Sequence, residues 1–168
     1  ISPEVLVIYR SAFTAALAAV AVILHNPKAF RVQAREWPGL IAFGVVGIGI
    51  MQWSYTNAVS RLPVGISLLF EYTAAIWVPL FSWIIFKQRV GKQLWFGAAL
   101  ALAGLLVVSQ IWHSKLDPVG VGFGFLAAAS VTFYFIIAER TQNSRDSYST
   151  LFYTMLISTV FWLVVNHP

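Results

Sequence analysis

The chain has 168 residues, 59% of them hydrophobic and only 10% charged, with a mean hydropathy of +0.77, whereas soluble domains carry about 25% charged residues. Water is therefore not its principal solvent. The net charge of +5 would suit nucleic acid only if the basic residues formed one patch, but they are spread loop by loop, so no nucleic-acid partner is expected.

Six apolar stretches follow in chain order, at 4–24, 38–60, 63–86, 92–112, 118–139 and 147–166. At about 1.5 Å per helical residue, each reaches across a hydrocarbon core of roughly 30 Å. Backbone polar groups must pair internally in lipid, so a spanning segment is a helix or a strand of a closed barrel. Barrel strands alternate over about ten residues, and these runs are twice as long without alternation. Their punctuation is helical: Pro3, Pro38, Pro63 and Pro118 open four of the runs, where a missing N–H costs nothing. Ser2 and Asp117 precede two of them as N-cap candidates. The fold class is thus an all-α polytopic membrane protein with six transmembrane helices in this chain.

The first run lacks a basic leader and carries Arg10, so it does not read as a secretory signal. The chain begins with Ile and enters a span within four residues, which is expected of a piece of a longer protein. Basic residues then set the topology. Lys28, Arg31 and Arg35 follow the first span, Lys87, Arg89 and Lys92 the third, and Arg140 and Arg145 the fifth, while the intervening loops hold only Arg61 and Lys115. Eight against two places loops 25–37, 87–92 and 140–146 in the cytoplasm by the positive-inside rule. The expected location is a plasma or inner cell membrane, with the first residue outside.

Small residues mark helix packing: Gly44 with Gly47, Gly97 with Ala101 and Gly104, and Gly120, Gly124 and Ala128. Trp37 and Trp112 suit interfacial belts, whereas Trp53 and Trp77 lie deeper. No cysteine is present, and His25, His113 and His167 are scattered at span ends, so neither a metal site nor a cofactor is expected. The first and last spans both run from a polar start to an early aromatic, five spans apart and in opposite directions. An odd-numbered repeat inverts its topology, as in many secondary transporters.

The candidate working residues are polar groups inside these spans. Glu71 lies eight residues past Pro63 and Arg10 six past Glu4, about 12 and 9 Å deep by helical rise. Both spans run inward, so the two charges sit at nearly one level. An Arg10–Glu71 ion pair is one reading. The other has Arg10 reaching the outer headgroups and Glu71 protonated or hydrogen-bonded to Ser67 or Tyr55. Pro79 removes one helix bond one turn beyond the acid, a kink that either shapes a cavity or is merely tolerated. Gln52 and Tyr55 on the second span, and Ser130 and Tyr134 on the fifth, are candidate solute-lining residues or interhelical glue. No phosphate loop, nucleophile elbow or carboxylate pair appears, and an enzyme is not expected.

One longer passage is similar to a known family. It runs Tyr55-Thr56-Asn57-Ala58, Arg61-Leu62-Pro63-Val64-Gly65, Leu69-Phe70-Glu71-Tyr72-Thr73-Ala74, Trp77-Val78-Pro79-Leu80 and Gly97 to Gly104. It resembles the EamA-like branch of the drug/metabolite transporter superfamily, and the Glu-Tyr-Thr element is like that of its amino-acid exporter-like members. Arg10 resembles an arginine common in the family's second helix. Gln88 departs from the family's Gly-Glu-Arg-like loop element by lacking the acid.

The resemblance implies a ten-helix fold of two inverted five-helix repeats. Residues 1–112 would be the remainder of the first repeat, with four helices, and 113–168 the beginning of the second, with two. It also implies a secondary transporter of small metabolites, such as amino acids or related compounds, exporting by alternating access. Its partners would be the lipid bilayer, a small-molecule metabolite and a proton as coupling ion. The alternative is a non-transporting membrane scaffold or assembly subunit.

Overall fold

A computed structural model describes residues 3–87, 91–142 and 146–165. The described residues are helical almost throughout, in helices α1 (Pro3–His25), α2 (Trp37–Ala42), α3 (Met51–Arg61), α4 (Val64–Tyr72), α5 (Ala74–Phe86), α6 (Lys92–Ser109), α7 (Pro118–Gln142) and α8 (Ser147–Val165). A π-helix, Phe43–Ile50, joins α2 to α3. Six spans are long and apolar enough to cross a membrane: Glu4–His25, Ala34–Arg61, Val64–Ile85, Lys92–His113, Pro118–Ala138 and Ser147–Val165. They fall on the six stretches expected from sequence.

The expected punctuation holds where it is described. Asp117 caps α7, its Oδ1 accepting the Val119 N–H at 3.1 Å, and Pro63 stands immediately before α4. Ser2 lies outside the described residues, as do Gln88, Arg89, Arg145 and His167. Lys87 and Gln110 take left-handed φ values of 52° and 46°, ending α5 and α6 in the conformation that glycine usually supplies.

The chain divides into two compact units, Ile1–Trp53 with Phe133–Pro168, and Ser54–Thr132. In the first, α1 and α8 pack antiparallel. The His25 and Tyr148 rings lie 5.0 Å apart where α1 ends and α8 begins, and Ser11 meets Ser158 midway along both. The end of α1 and the start of α8 therefore lie at one end, as the charge count expects. That end is fastened by aromatic contacts: Phe30 on Phe152 at 5.4 Å, Trp37 on Tyr153 at 5.9 Å, and the Tyr153 hydroxyl donating to the Phe30 carbonyl at 2.7 Å.

The buried face of α1 is Val7, Ser11, Ala15, Ala18 and Val22, and that of α8 is Thr150, Thr154, Ser158 and Trp162, each at helical spacing. Leucines, valines and aromatics point outward: Tyr9, Phe13, Leu17 and Leu24 on α1, and Leu151, Val160, Leu163 and Val164 on α8. Small and hydroxyl residues inside with large apolar ones outside is the order a lipid solvent dictates. Buried hydroxyls here bond back to their own helix, as in Thr154 to the Thr150 carbonyl at 2.8 Å, which satisfies them without a neighbour and permits close approach.

In the second unit, α4 lies against the end of α6, where a Cβ on Gly65 would stand 3.2 Å from Ser109 Cα. Gly124 admits the Phe70 side chain and Gly120 admits Leu62, so the ridge read at Gly120, Gly124 and Ala128 is a packing face, with Ala128 buried. The ridge read at Gly97, Ala101 and Gly104 packs on nothing among the described residues: a Cβ on Gly97 or Gly104 meets nothing within 4 Å. That side of α6 is turned away from α4, which it meets around Ser109.

The third span also holds a feature beyond the expected Pro79. Its helix is interrupted at Thr73, while Pro79 sits inside α5. The Thr73 hydroxyl bonds the Phe70 carbonyl at 2.6 Å, and the Thr73 N–H bonds the same carbonyl at 3.2 Å. That three-residue turn replaces the α ladder locally, as side-chain back-bonding does. The break thus falls two residues beyond Glu71.

Candidate solute and coupling site

Glu71 occupies the last turn of α4, half-buried, immediately before the Thr73 interruption. An acid in an apolar span is costly and tends to face a bundle interior or a wet path. Arg10 lies on α1 with its side chain exposed, and the Thr14 hydroxyl donates to its carbonyl at 2.8 Å. Arg10 belongs to the first unit and Glu71 to the second.

The remaining candidates are split likewise. Gln52 on α3 is 5% exposed and Ser130 on α7 is 3% exposed, which puts both inside protein, while Tyr55 is half-buried. Tyr134, half-buried on α7, lies 4.7 Å from the Phe43 ring, and its Cα stands 3.4 Å from where a Cβ on Gly47 would be. Tyr134 thus packs on the π-helix.

Sequence reasoning missed a polar strip in the first unit. Glu4 Oε1 accepts the Trp53 indole N–H at 3.0 Å, and Trp53 stacks on Trp162 with centroids 5.6 Å apart and planes 25° from parallel. Trp162 is 6% exposed, and its Nε1 has no acceptor among the described residues. It faces Gly49, where a Cβ would lie 3.1 Å from that nitrogen and 3.2 Å from Ser158 Oγ. Ser158 in turn meets Ser11 at 3.5 Å. The signal was present as Thr150, Thr154, Ser158 and Trp162 at four-residue intervals on α8, and as the glycine cluster of Phe43-Gly-Val-Val-Gly-Ile-Gly-Ile. Only Gly44 and Gly47 were read, and only as packing.

Among the described residues, no group of three or more His, Cys, Asp or Glu could hold a metal ion. The internal groups are hydroxyls, an amide and indoles, with a carboxylate at Glu4 and another at Glu71.

An all-helical chain with six bilayer-length spans and small-polar internal faces is a multi-pass cell-membrane protein. A profile of the EamA-like transporter family matches residues 1–110, and the chain belongs to that family, within the drug/metabolite transporter superfamily. It is 21% identical over 152 residues to an uncharacterized transporter of Helicobacter pylori, covering 89% of this chain and 50% of that protein. It is 32% identical over 74 residues to a probable 4-amino-4-deoxy-L-arabinose-phosphoundecaprenol flippase subunit ArnE of Salmonella enteritidis, covering 44% of this chain and 64% of the relative. The corresponding subunit of Pseudomonas fluorescens is 26% identical over 74 residues, with 44% and 62% covered. The chain thus spans from half to under two thirds of the length of these relatives. No solved structure matches.

Proposed function

We propose that the protein carries small metabolites, amino acids or related compounds, out of the cell by alternating access, and that it is not an enzyme. The observation that carries this reading is Glu71, an ionisable group beside a helix break in a span of a transporter-family chain. Glu71 pairs with Arg10 in one state and is released to solute or proton in the other. Gln52, Tyr55, Ser130 and Tyr134 line the path, and the Thr73 break, with Pro79 beyond it, gives the third span its compliance. The ten-helix, two-repeat organisation divided near residue 112 is supported by the end of the family match at residue 110.

The test is flux of labelled amino acids in reconstituted vesicles, with and without a pH gradient. Glu71→Gln is expected to abolish gradient-driven transport, and unchanged gradient-driven flux refutes the coupling role. Exchanging the charges, Arg10→Glu with Glu71→Arg, is expected to restore part of what each single change loses. Cysteines introduced at Gln52, Glu71 and Ser130 of this cysteine-free chain test the non-transporting scaffold: a scaffold leaves all three shielded from aqueous reagents.

A second reading is favoured by the ArnE relatives, namely that the cargo is a lipid-linked amino sugar. The same vesicles separate the two. Flipping of a labelled polyprenyl-phosphate amino sugar without amino-acid flux selects the second reading.

A further inference from the structure

Phe43–Ile50 is an eight-residue π-helix. π-Helices occur mostly as single-turn bulges, frequently at functional sites, and each turn closes over one more residue than an α turn. This run therefore holds about one residue more than an α-helix linking the same flanks would need. Three glycines make room for it. A Cβ on Gly44 would stand 2.7 Å from the Thr154 carbonyl oxygen, one on Gly47 2.9 Å from the Phe43 ring, and one on Gly49 3.1 Å from Trp162 Nε1.

A second observation concerns its C-terminal end. Trp162 Nε1, buried against Gly49, has no acceptor among the described residues. The Ser11 and Ser158 hydroxyls meet only at 3.5 Å, the outer limit of a hydrogen bond. This register leaves the Trp162 donor without a partner among the described residues, in a place where buried donors are normally paired. Beside it the Trp53 indole is bonded to Glu4 and stacked on Trp162.

We propose that Phe43–Ile50 is a two-register element, π in this structure and α in an alternative state, with the Glu4–Trp53–Trp162 contact as its latch. Conversion to α geometry turns the residues beyond Ile50 by about 100° and moves them about 1.5 Å along the axis for each residue taken up. Gln52 then leaves its buried position and Trp53 leaves Trp162. The inference goes beyond the solute reading, and its test needs no solute.

The test is maleimide labelling of Gln52→Cys, in the whole chain reconstituted in lipid vesicles, on three backgrounds. Deleting Val46 removes the extra residue, so the segment becomes an α-helix with both flanks on their present faces. That variant is expected to remain monodisperse and helical and to label about tenfold more slowly than the undeleted chain, because the exposing register is lost. Trp53→Phe frees the latch and is expected to label about threefold or more faster. An unfolded Val46 deletion overturns the proposal, because the segment then holds no spare residue. Equal labelling in the deleted and undeleted chains overturns it as a switch, and an unchanged rate in Trp53→Phe overturns the latch.

Discussion

One substitution made at two glycines separates packing from mere membership of a helix. In Gly44→Ala the new methyl would lie 2.7 Å from the Thr154 backbone oxygen and 2.9 Å from Ile157 Cβ and Cγ2. Neither the oxygen nor a β-carbon moves by side-chain rotation, so relief requires α8 to shift. Overpacking of this kind costs typically about 1–3 kcal/mol. In Gly97→Ala the methyl meets nothing within 4 Å, and replacing a helical glycine with alanine gains roughly 0.5–1 kcal/mol. The two variants should therefore differ by about 1.5–4 kcal/mol, more than a factor of ten in the folded-to-unfolded ratio. Denaturation by SDS in mixed micelles, followed by helical circular dichroism, ranks them against the unmodified chain. Gly44→Ala should fall below it and Gly97→Ala should equal or exceed it. If Gly44→Ala is as stable as Gly97→Ala, the close contact between the π-helix and α8 is wrong.

Asp117 has two roles of different weight. Asp117→Ala, which removes the cap on Val119, should cost about 0.5–2 kcal/mol in the same titration. Asp117→Asn keeps an acceptor and loses only the Arg61 pair at 3.3 Å, whose side chains are 46% and 34% exposed, so it should cost no more than about 1 kcal/mol and less in high salt. Equal losses in both would show that the ion pair dominates. Tyr153→Phe deletes the 2.7 Å bond to the Phe30 carbonyl and should cost about 0.5–1.5 kcal/mol, while faster amide exchange appears around Pro27–Phe30; unchanged exchange there refutes the fastening role. Gly124→Ala puts a methyl 2.7 Å from Phe70 Cβ and should destabilise the second unit by about 1–3 kcal/mol, with Gly122→Ala, which meets nothing within 4 Å, as the neutral comparison.

Much of the fold was legible because lipid simplifies the pattern. Long apolar runs punctuated by prolines mark helices wherever backbone groups have no water to bond, and all six appear. Asp117 was readable as a cap because Pro118 follows it. What escaped reading was irregular geometry within spans. The break at Thr73 arises from a hydroxyl-to-carbonyl bond that competes with the helix ladder, a weaker signal in sequence than Pro79, which lies inside α5. The π-helix was hidden because Gly44, Gly47 and Gly49 read equally as a packing ridge. Glycine spacing shows that something approaches, and not in which register. The glycines of α6 carry the same motif and admit nothing, so a small-residue face predicts capacity for contact rather than contact itself.

The burial order of the first unit bears on how such a protein moves. An apolar core of interlocked branched side chains resists sliding, because every shift opens cavities. The α1–α8 and π–α8 interfaces hold Ser11, Ala15, Gly44, Gly49, Thr154 and Ser158 among their residues, with the threonine hydroxyl satisfied by its own backbone. Self-satisfied groups lose no partner when a neighbour shifts, and small side chains leave few voids behind. The large apolar residues on the outside touch lipid, which is fluid and refills. Of the bonds between helices, Trp53 to Glu4 and Tyr153 to Phe30 lie near the two ends of the unit, and the 3.5 Å contact of Ser11 with Ser158 lies midway. A unit fastened at its ends lets small changes at the fastenings select among arrangements of the middle.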